Sequence, residues 1–207
     1  MRPKTKMLWD KQNQHPGDRW RLFSAISKVL APARILYAGS YVDIAPSFVF
    51  PDVTYVDVDR RAAAFFEDRD GVREIIESHD GHPQNGRITF IHSDYAKLEL
   101  KPQSFDLLIS LYAGLISETC TGFLKTGGHL LVNPSHGDAA LTSIDPRYQL
   151  AGVVLSRGGD YHVSSEDLQN YLVPKKQVEV TRDLLFASNR GIAYTRPAFA
   201  YLFKRVA

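Results

Sequence analysis

The sequence predicts a three-layer α/β domain built on a mostly parallel sheet. Three observations carry that prediction. Short β-rich apolar runs alternate with helix-like segments from residue 34 to residue 134. Some of these runs are apolar at consecutive positions, as strands covered on both faces are. Two more β-rich segments lie late in the chain and read as a closing strand pair. The count is seven strands, the last running antiparallel.

The segment 15–30 places Trp20, Phe23, Ile26 and Leu30 near helical spacing, with Pro16–Asp18 as a start signal. RILYAG, ending at Gly39, reads as the first buried strand. IAPSFVF then runs into Pro51, which limits any helix there to a short one. VTYVDVD (53–59) is the second strand, and Asp59 is placed to cap the helix that follows. RRAAAFFEDRDGVREIIESH reads as one helix or two short ones, with Gly71 as the break.

Turn formers fill 80–86. RITFIHSDY (87–95) is the third strand and SFDLLISLYAG (104–114) the fourth. Asp106 begins that strand, far from its carboxyl end, and reads as structural. LISETCTGFLK is a helix that Thr126-Gly127-Gly128 stops, and HLLVNP (129–134) is the fifth strand. Gly158-Gly159 reads as a hinge for a mobile segment carrying Tyr161 and His162. SSEDLQNYL (164–172) opens like a capping box. VEVTRDLLFA and AYTRPAFAYLFKRV are the expected final strand pair.

At 207 residues and 44% apolar composition, the chain suits one domain, 15–207, preceded by a basic arm, 1–14, that is open to disorder. Residues 1–34 carry eight Lys/Arg against two Asp, +6, which leaves −4 for the rest of a chain whose net charge is +2. Such an arm suits a nucleic acid or an anionic substrate, or is a plain solvated tail. No apolar run approaches the roughly 18 residues of a membrane span, so no membrane partner is expected. The N-terminus lacks the apolar stretch of a secretory signal. One cysteine, Cys120, allows no internal disulfide, and a cytoplasmic location fits. The seven histidines show no zinc spacing, and no metal is expected. His136 alone among them falls in a predicted carboxyl-end loop, where it reads as a candidate base or as a plain loop residue.

In a parallel sheet, ligands bind beyond the carboxyl ends of the strands, at the switch in strand order. That rule selects Gly39-Ser40-Tyr41-Val42-Asp43, Asp57, Ser93-Asp94-Tyr95, Ser110-Leu111-Tyr112 and Asn133–His136. Asp57 follows Gly39 at close to the spacing at which an acid receives ribose hydroxyls. It reads equally as a strand-end acceptor for backbone amides. Asp94 can accept from an adenine amino group, with Tyr95 as apolar surface, or can serve its own turn.

Taken in order, ILYAGSYVD, YVDVD, IHSDY, SFDLLIS and LKTGGHLLVN resemble the motifs of the class I S-adenosylmethionine-dependent methyltransferases, with their Rossmann-like sheet. The likeness runs from about Arg34 to Asn133 and more weakly into the late strand pair. It implies S-adenosylmethionine as cofactor, with Asp57 on the ribose, Asp94 and Tyr95 on the adenine, and Gly39, Ser40 and Asp43 along the methionine. Val58 and Ser110, beside them at strand ends, complete the expected set. It implies methyl transfer to an unidentified, small-molecule acceptor, with no catalytic residue named. The first motif departs from the family: Tyr37 stands where an acid is usual, and Tyr41 and Asp43 replace the second and third glycines. Asp43 either stands in for the missing acid or caps the turn that follows. This departure motivates two alternatives: a non-catalytic relative serving as a binding or scaffold subunit, and a nucleic-acid binder using the arm.

Overall fold

The computed structural model describes residues 1–15, 17–188 and 190–207. Pro16, part of the expected helix start, lies outside them. Two helices lead the chain, α1 (Pro3–Gln12) and α2 (Asp18–Ser27). The sheet opens with β1 (Ile35–Ala38) and β2 (Asp52–Asp57), followed by α3 (Arg60–Phe66), α4 (Arg69–Glu77) and β3 (Arg87–His92). Then come β4 (Phe105–Ser110), α5 (Ile116–Cys120), β5 (Leu124–Val132) and α6 (Asp138–Ser143). β6 (Tyr148–Arg157), β7 (Asp160–Ser164), α7 (Arg182–Ser188) and β8 (Ala200–Arg205) complete it.

The strands form one sheet in the order β3-β2-β1-β4-β5-β8-β6-β7. The first five are parallel, and β8 is antiparallel to both β5 and β6. The order reverses between β1 and β4, which pair from Ile35↔Leu107 to Ala38↔Ser110. Two cores follow from the two-residue period of a strand. Ile35, Tyr37, Val53, Tyr55, Leu107 and Ile109 face one, with α1 to α4. Leu36, Ala38, Val56, Leu108, Leu130 and Val132 face the other, with α5.

Local chemistry sets the helix ends. Asp59 accepts from Arg61 N at 2.7 Å and caps α3, as its position predicts. The break after α3 falls at Asp68 rather than Gly71, because the Asp68 carboxylate takes Gly71 N at 3.2 Å and starts α4. Pro46 and Pro51 leave the β1–β2 crossover only a 3-10 turn, Ala45–Phe48. α1 and α2 roof that face instead. Segment 1–14 therefore holds an α-helix whose Leu8 is buried and whose start is tied to Glu74 and Asp68 through Met1 N and Arg2 N.

Several expectations need correction. The sheet has eight strands, not seven. β6 comes from YQLAGVVLSR, and Gly158-Gly159 is a hairpin turn, with φ +60° and +84°, rather than a hinge. The segment carrying Tyr161 and His162 is thus the edge strand β7. The late pair is also wrong. VEVTRDLLFA supplies α7, since Arg-Asp-Leu-Leu-Phe-Ala are adequate helix formers once Val178 and Val180 are left outside, and only the final segment is a strand. Thr126-Gly127-Gly128 does not end a helix. It lies inside β5, where the register against β4 shifts. Segment 164–172 holds only a 3-10 turn, Leu168–Asn170. Among the described residues, no helix is long and apolar enough to cross a membrane.

A buried carboxylate locks the second face. Asp138, at the start of α6, accepts from Ser110 Oγ at the end of β4 (2.6 Å), and from Ser117 N (3.1 Å) and Ser117 Oγ in α5. Burial pushes its pKa up to about 6, with the two hydroxyls and the amides of Ser117 and Ile116 pulling the other way.

Two outcomes test this account. Gly159→Val should destabilise the fold by about 1–2 kcal/mol, the strain of a left-handed side chain, whereas Gly158→Asn, in open space, should stay within about 0.5 kcal/mol. Urea unfolding distinguishes them, and equal effects would argue against the hairpin. The raised Asp138 pKa means that the folded state holds a proton the unfolded state releases above about pH 4. Stability should fall by up to about 3 kcal/mol as the pH rises from 4 to 6, then level off. Asp138→Asn should remove that component, so the difference between the two unfolding free energies should depend on pH.

Candidate active site at the carboxyl edge of the sheet

β1 and β4 end side by side at the switch point, so their following loops meet. Gly39 adopts φ +70° and donates its N–H to Val56 O at 2.8 Å. A Cβ at Gly39 would collide with the Ala113 methyl and come within 3.2 Å of the Tyr95 hydroxyl. Glycine is required here because three loops converge on it.

Tyr41 and Tyr112, on the β1 and β4 loops, are non-glycine residues at φ +49° and +62°. Such conformations cost about 1–2 kcal/mol and persist only when their surroundings hold them. Asp57 is what holds Tyr41. Its carboxylate, 6% exposed at the end of β2, accepts Tyr41 N at 2.7 Å and Asp59 N at 2.8 Å. The sequence left Asp57 open between a ribose and backbone amides, and these two amides occupy one lone pair on each oxygen. Each oxygen keeps a second lone pair. Arg61 lies over the Tyr41 ring at 5.2 Å.

Beside Asp57, Val58 is 54% exposed and its carbonyl oxygen meets His92 Nε2 at 2.9 Å. Asp94 is exposed, and its Oδ1 accepts Ala96 N at 3.0 Å. Tyr95 is half-buried, and burial together with the nearby Asp57 charge raises its pKa, so the phenol stays neutral. Ser40 is buried with its hydroxyl on Tyr41 O at 3.3 Å. Ser110 is 1% exposed and its hydroxyl is committed to Asp138. Gly39, Asp57, Val58, Asp94 and Tyr95 thus share one edge, while Ser40 and Ser110 turn inward.

Asp43 is 1% exposed and accepts Ala45 N at 3.2 Å, although Ile44, not Asp43, stands at the cap of the turn that follows. It also receives the Tyr37 hydroxyl at 3.1 Å and pairs with Arg19 Nε of α2 at 3.5 Å. Burial raises its pKa, and Arg19, the Ala45 amide and Tyr37 oppose that rise. The tyrosine at the family's acid position and the acid at its third glycine position therefore touch. Arg19 reaches further, to within 5.4 Å of the Tyr112 ring centre. Burial disfavours its charge, and Tyr37, Asp43, Tyr112 and Tyr161 more than compensate. Arg19 was not identifiable beforehand as a site residue, because the charge count merges it with the solvated lysines of the arm.

On the β5 side, Ser135 Oγ donates to Asn133 Oδ1 at 2.8 Å and contacts His136 Nδ1 at 2.8 Å. A serine hydroxyl has one proton, so with that proton on Asn133 the contact to His136 is made by a ring N–H at Nδ1. Tyr112 N also points to Asn133 Oδ1, at 3.4 Å, linking this chain of bonds to the β4 loop.

No family model matches the chain, and no curated protein matches it. Among solved structures, it is similar to a Klebsiella pneumoniae protein assigned as an O-methyltransferase, with TM-score 0.52 and 11% identity, covering 79% of this chain and 88% of that one. It is also similar to a Methanococcus maripaludis protein assigned as an S-adenosyl-L-methionine-dependent methyltransferase, at TM-score 0.48 and 14% identity over 63% of this chain. The [4+2]-cyclase SpnF aligns at TM-score 0.44 and 23% identity over 55% of this chain. The chain spans 44% of the cyclase and 61% of the Methanococcus protein. Five parallel strands reversing between β1 and β4, with β8 inserted antiparallel between β5 and β6, give this chain the Rossmann-like fold of the class I methyltransferases.

Proposed function

We propose that this protein binds S-adenosylmethionine at the carboxyl ends of β1, β2 and β3 and transfers its methyl group to a small-molecule acceptor. The observation that carries this reading is the Gly39–Tyr41–Asp57 unit. Its buried carboxylate fixes a strained loop while keeping a free lone pair on each oxygen. Strain held in this way at the switch point is the mark of a pre-organised ligand site.

The donor chemistry fits the nucleoside end. Asp57 offers acceptors for ribose hydroxyls, Asp94 an acceptor for an amino group, and Val58 and Tyr95 apolar surface for a base. A nucleoside without phosphate needs no deep glycine nest, which accommodates the loss of two glycines. At the other end, the Gly39 backbone lies toward the methionine portion, with Ser40 and Asp43 buried beneath it as support. When bound, the cofactor supplies an electrophilic methyl on a sulfonium. The chain's part is then to position the acceptor in line and to take up its proton. His136, tied through Ser135 and Asn133 to the β4 loop, is the candidate base for that proton.

A second reading has its own support. Arg19 already neutralises Asp43, and Ala113 abuts Gly39, so the methionine end is crowded. A non-catalytic relative that acts as a binding subunit would tolerate this.

Calorimetric titration with S-adenosylmethionine and S-adenosylhomocysteine, with ATP and NAD as controls, separates the two. Selective micromolar binding is expected. Asp57→Ala should abolish it while the far-UV circular dichroism stays native, and undiminished affinity in that variant would sink the assignment. If the wild type binds neither ligand, the non-catalytic reading stands. His136→Ala should leave cofactor binding unchanged and lower methyl transfer by about 10²-fold or more once an acceptor is in hand.

A further inference from the structure

The sheet has two edge strands, β7 and β3. β7 is short, follows the glycine turn 158–159 and begins with Asp160, and Arg21 of α2 donates to Gly159 O at 2.7 Å. Charge, shortness and a neighbouring helix blunt that edge. β3 has none of these devices. It pairs with β2 along its whole length, from Asp52↔Arg87 to Asp57↔His92, without a bulge. Its sequence, RITFIH, contains no proline or glycine, and its arginine turns back to Asp52 of β2. Among the described residues no strand pairs with its outer side.

The backbone pattern fixes which groups of β3 are free. Arg87 N donates to Pro51 O at 2.7 Å and Ser93 N to Asp57 O at 3.2 Å. Successive residues of a strand point opposite ways, so residues 87, 89, 91 and 93 face β2. The amides and carbonyls of Ile88, Phe90 and His92 therefore face outward. The side chains of Ile88 and Phe90 are only half-buried. They line a groove of ≈1070 Å³ between β3, α3 and α4, where Phe90 stacks on Phe66 at 4.4 Å and 10°.

We infer that β3 pairs with β3 of a second copy of this chain, about a two-fold axis at Phe90, so that two sheets join into one. A two-fold axis makes such a pair antiparallel, and outward-facing residues meet only outward-facing ones. With the axis at Phe90, Ile88 lies opposite His92 of the second copy and Phe90 opposite its own counterpart. Every outward amide and carbonyl of the strand then has a partner. An axis at Thr89 or Ile91 would leave His92 or Ile88 beyond the other strand. Charge selects the second copy as occupant. Arg87 opens the strand and the exposed Asp94 lies just past its end, so reversal brings opposite signs together at both ends of the pair. The groove rim repeats this polarity, with Arg69 opening α4 and Glu77 closing it. Pairing also brings Ile88 and Phe90 of both copies together and takes them from water.

Sedimentation velocity should show a reversible monomer–dimer equilibrium across the micromolar range. Ile88→Pro removes an outward amide and no bond to β2, and should weaken association by about tenfold or more with native circular dichroism. Thr89→Lys, which sets a cation against Ile91 of the second copy, should do the same. Cysteines read the register. Thr89 and Ile91 of the two copies form a non-hydrogen-bonded pair, whose Cα atoms lie about 4.5 Å apart, within disulfide reach. With copper phenanthroline as oxidant, Thr89→Cys/Ile91→Cys should form a disulfide-linked dimer and neither single variant should. Cys120 is buried and stays out of the reaction. A wild type that is monomeric at every concentration would overturn the pairing and leave the edge to an extended peptide of another protein. Association untouched by both Ile88→Pro and Thr89→Lys would place the interface elsewhere, and cross-linking by either single cysteine would overturn the axis at Phe90.

Discussion

The Asp57 carboxylate organises the candidate site. It sits at the end of β2 with one oxygen on the β1 loop and the other on the turn into α3. This carboxylate takes the backbone amide of left-handed Tyr41 directly, adding to the packing of the Tyr41 ring against the core and Arg61. In this family pattern the flexibility of a glycine normally provides that conformation. Here a charge-assisted pair of hydrogen bonds provides it, so the loop is held by its neighbour instead of being permitted by its own sequence.

A second buried carboxylate lies in the β1 loop itself: Asp43 receives the hydroxyl of Tyr37 from β1. Its charge is balanced by Arg19, from a helix that also takes over the roofing role left by the short β1–β2 crossover. Crossover, helix and acid are linked by contact: α2 packs on the turn Ala45–Phe48, and its Arg19 pairs with Asp43 just before that turn.

Most of the parallel half was legible in the sequence, because each of its strands is a short apolar run bounded by turn formers. The late part was not. Gly158-Gly159 has the composition of both a hinge and a tight hairpin, and only pairing partners far along the chain decide between them. Val178, Val180 and Thr181 gave the segment before α7 a β character that belongs to its approach and not to its core. The strand-end positions of Gly39, Asp57, Asp94 and Tyr95 were readable in advance, since strand ends are fixed by topology. The Arg19–Asp43 pair and the Tyr37–Asp43 contact were not, because each depends on side chains whose meeting no local pattern encodes.

The place of β8 has a bearing on how the molecule assembles. β5 and β6 are neighbours in sequence but not in the sheet, and the strand between them is made later than either. Until Ala200–Arg205 arrives, both present open edges lined with unpaired amides and carbonyls, Leu130 to Val132 among them. The sheet therefore closes by late insertion, a contact of high sequence separation and slow formation. A nascent or truncated chain that lacks this strand carries two adhesive edges at once, so the region most exposed to misassembly is the half of the sheet remote from the candidate site.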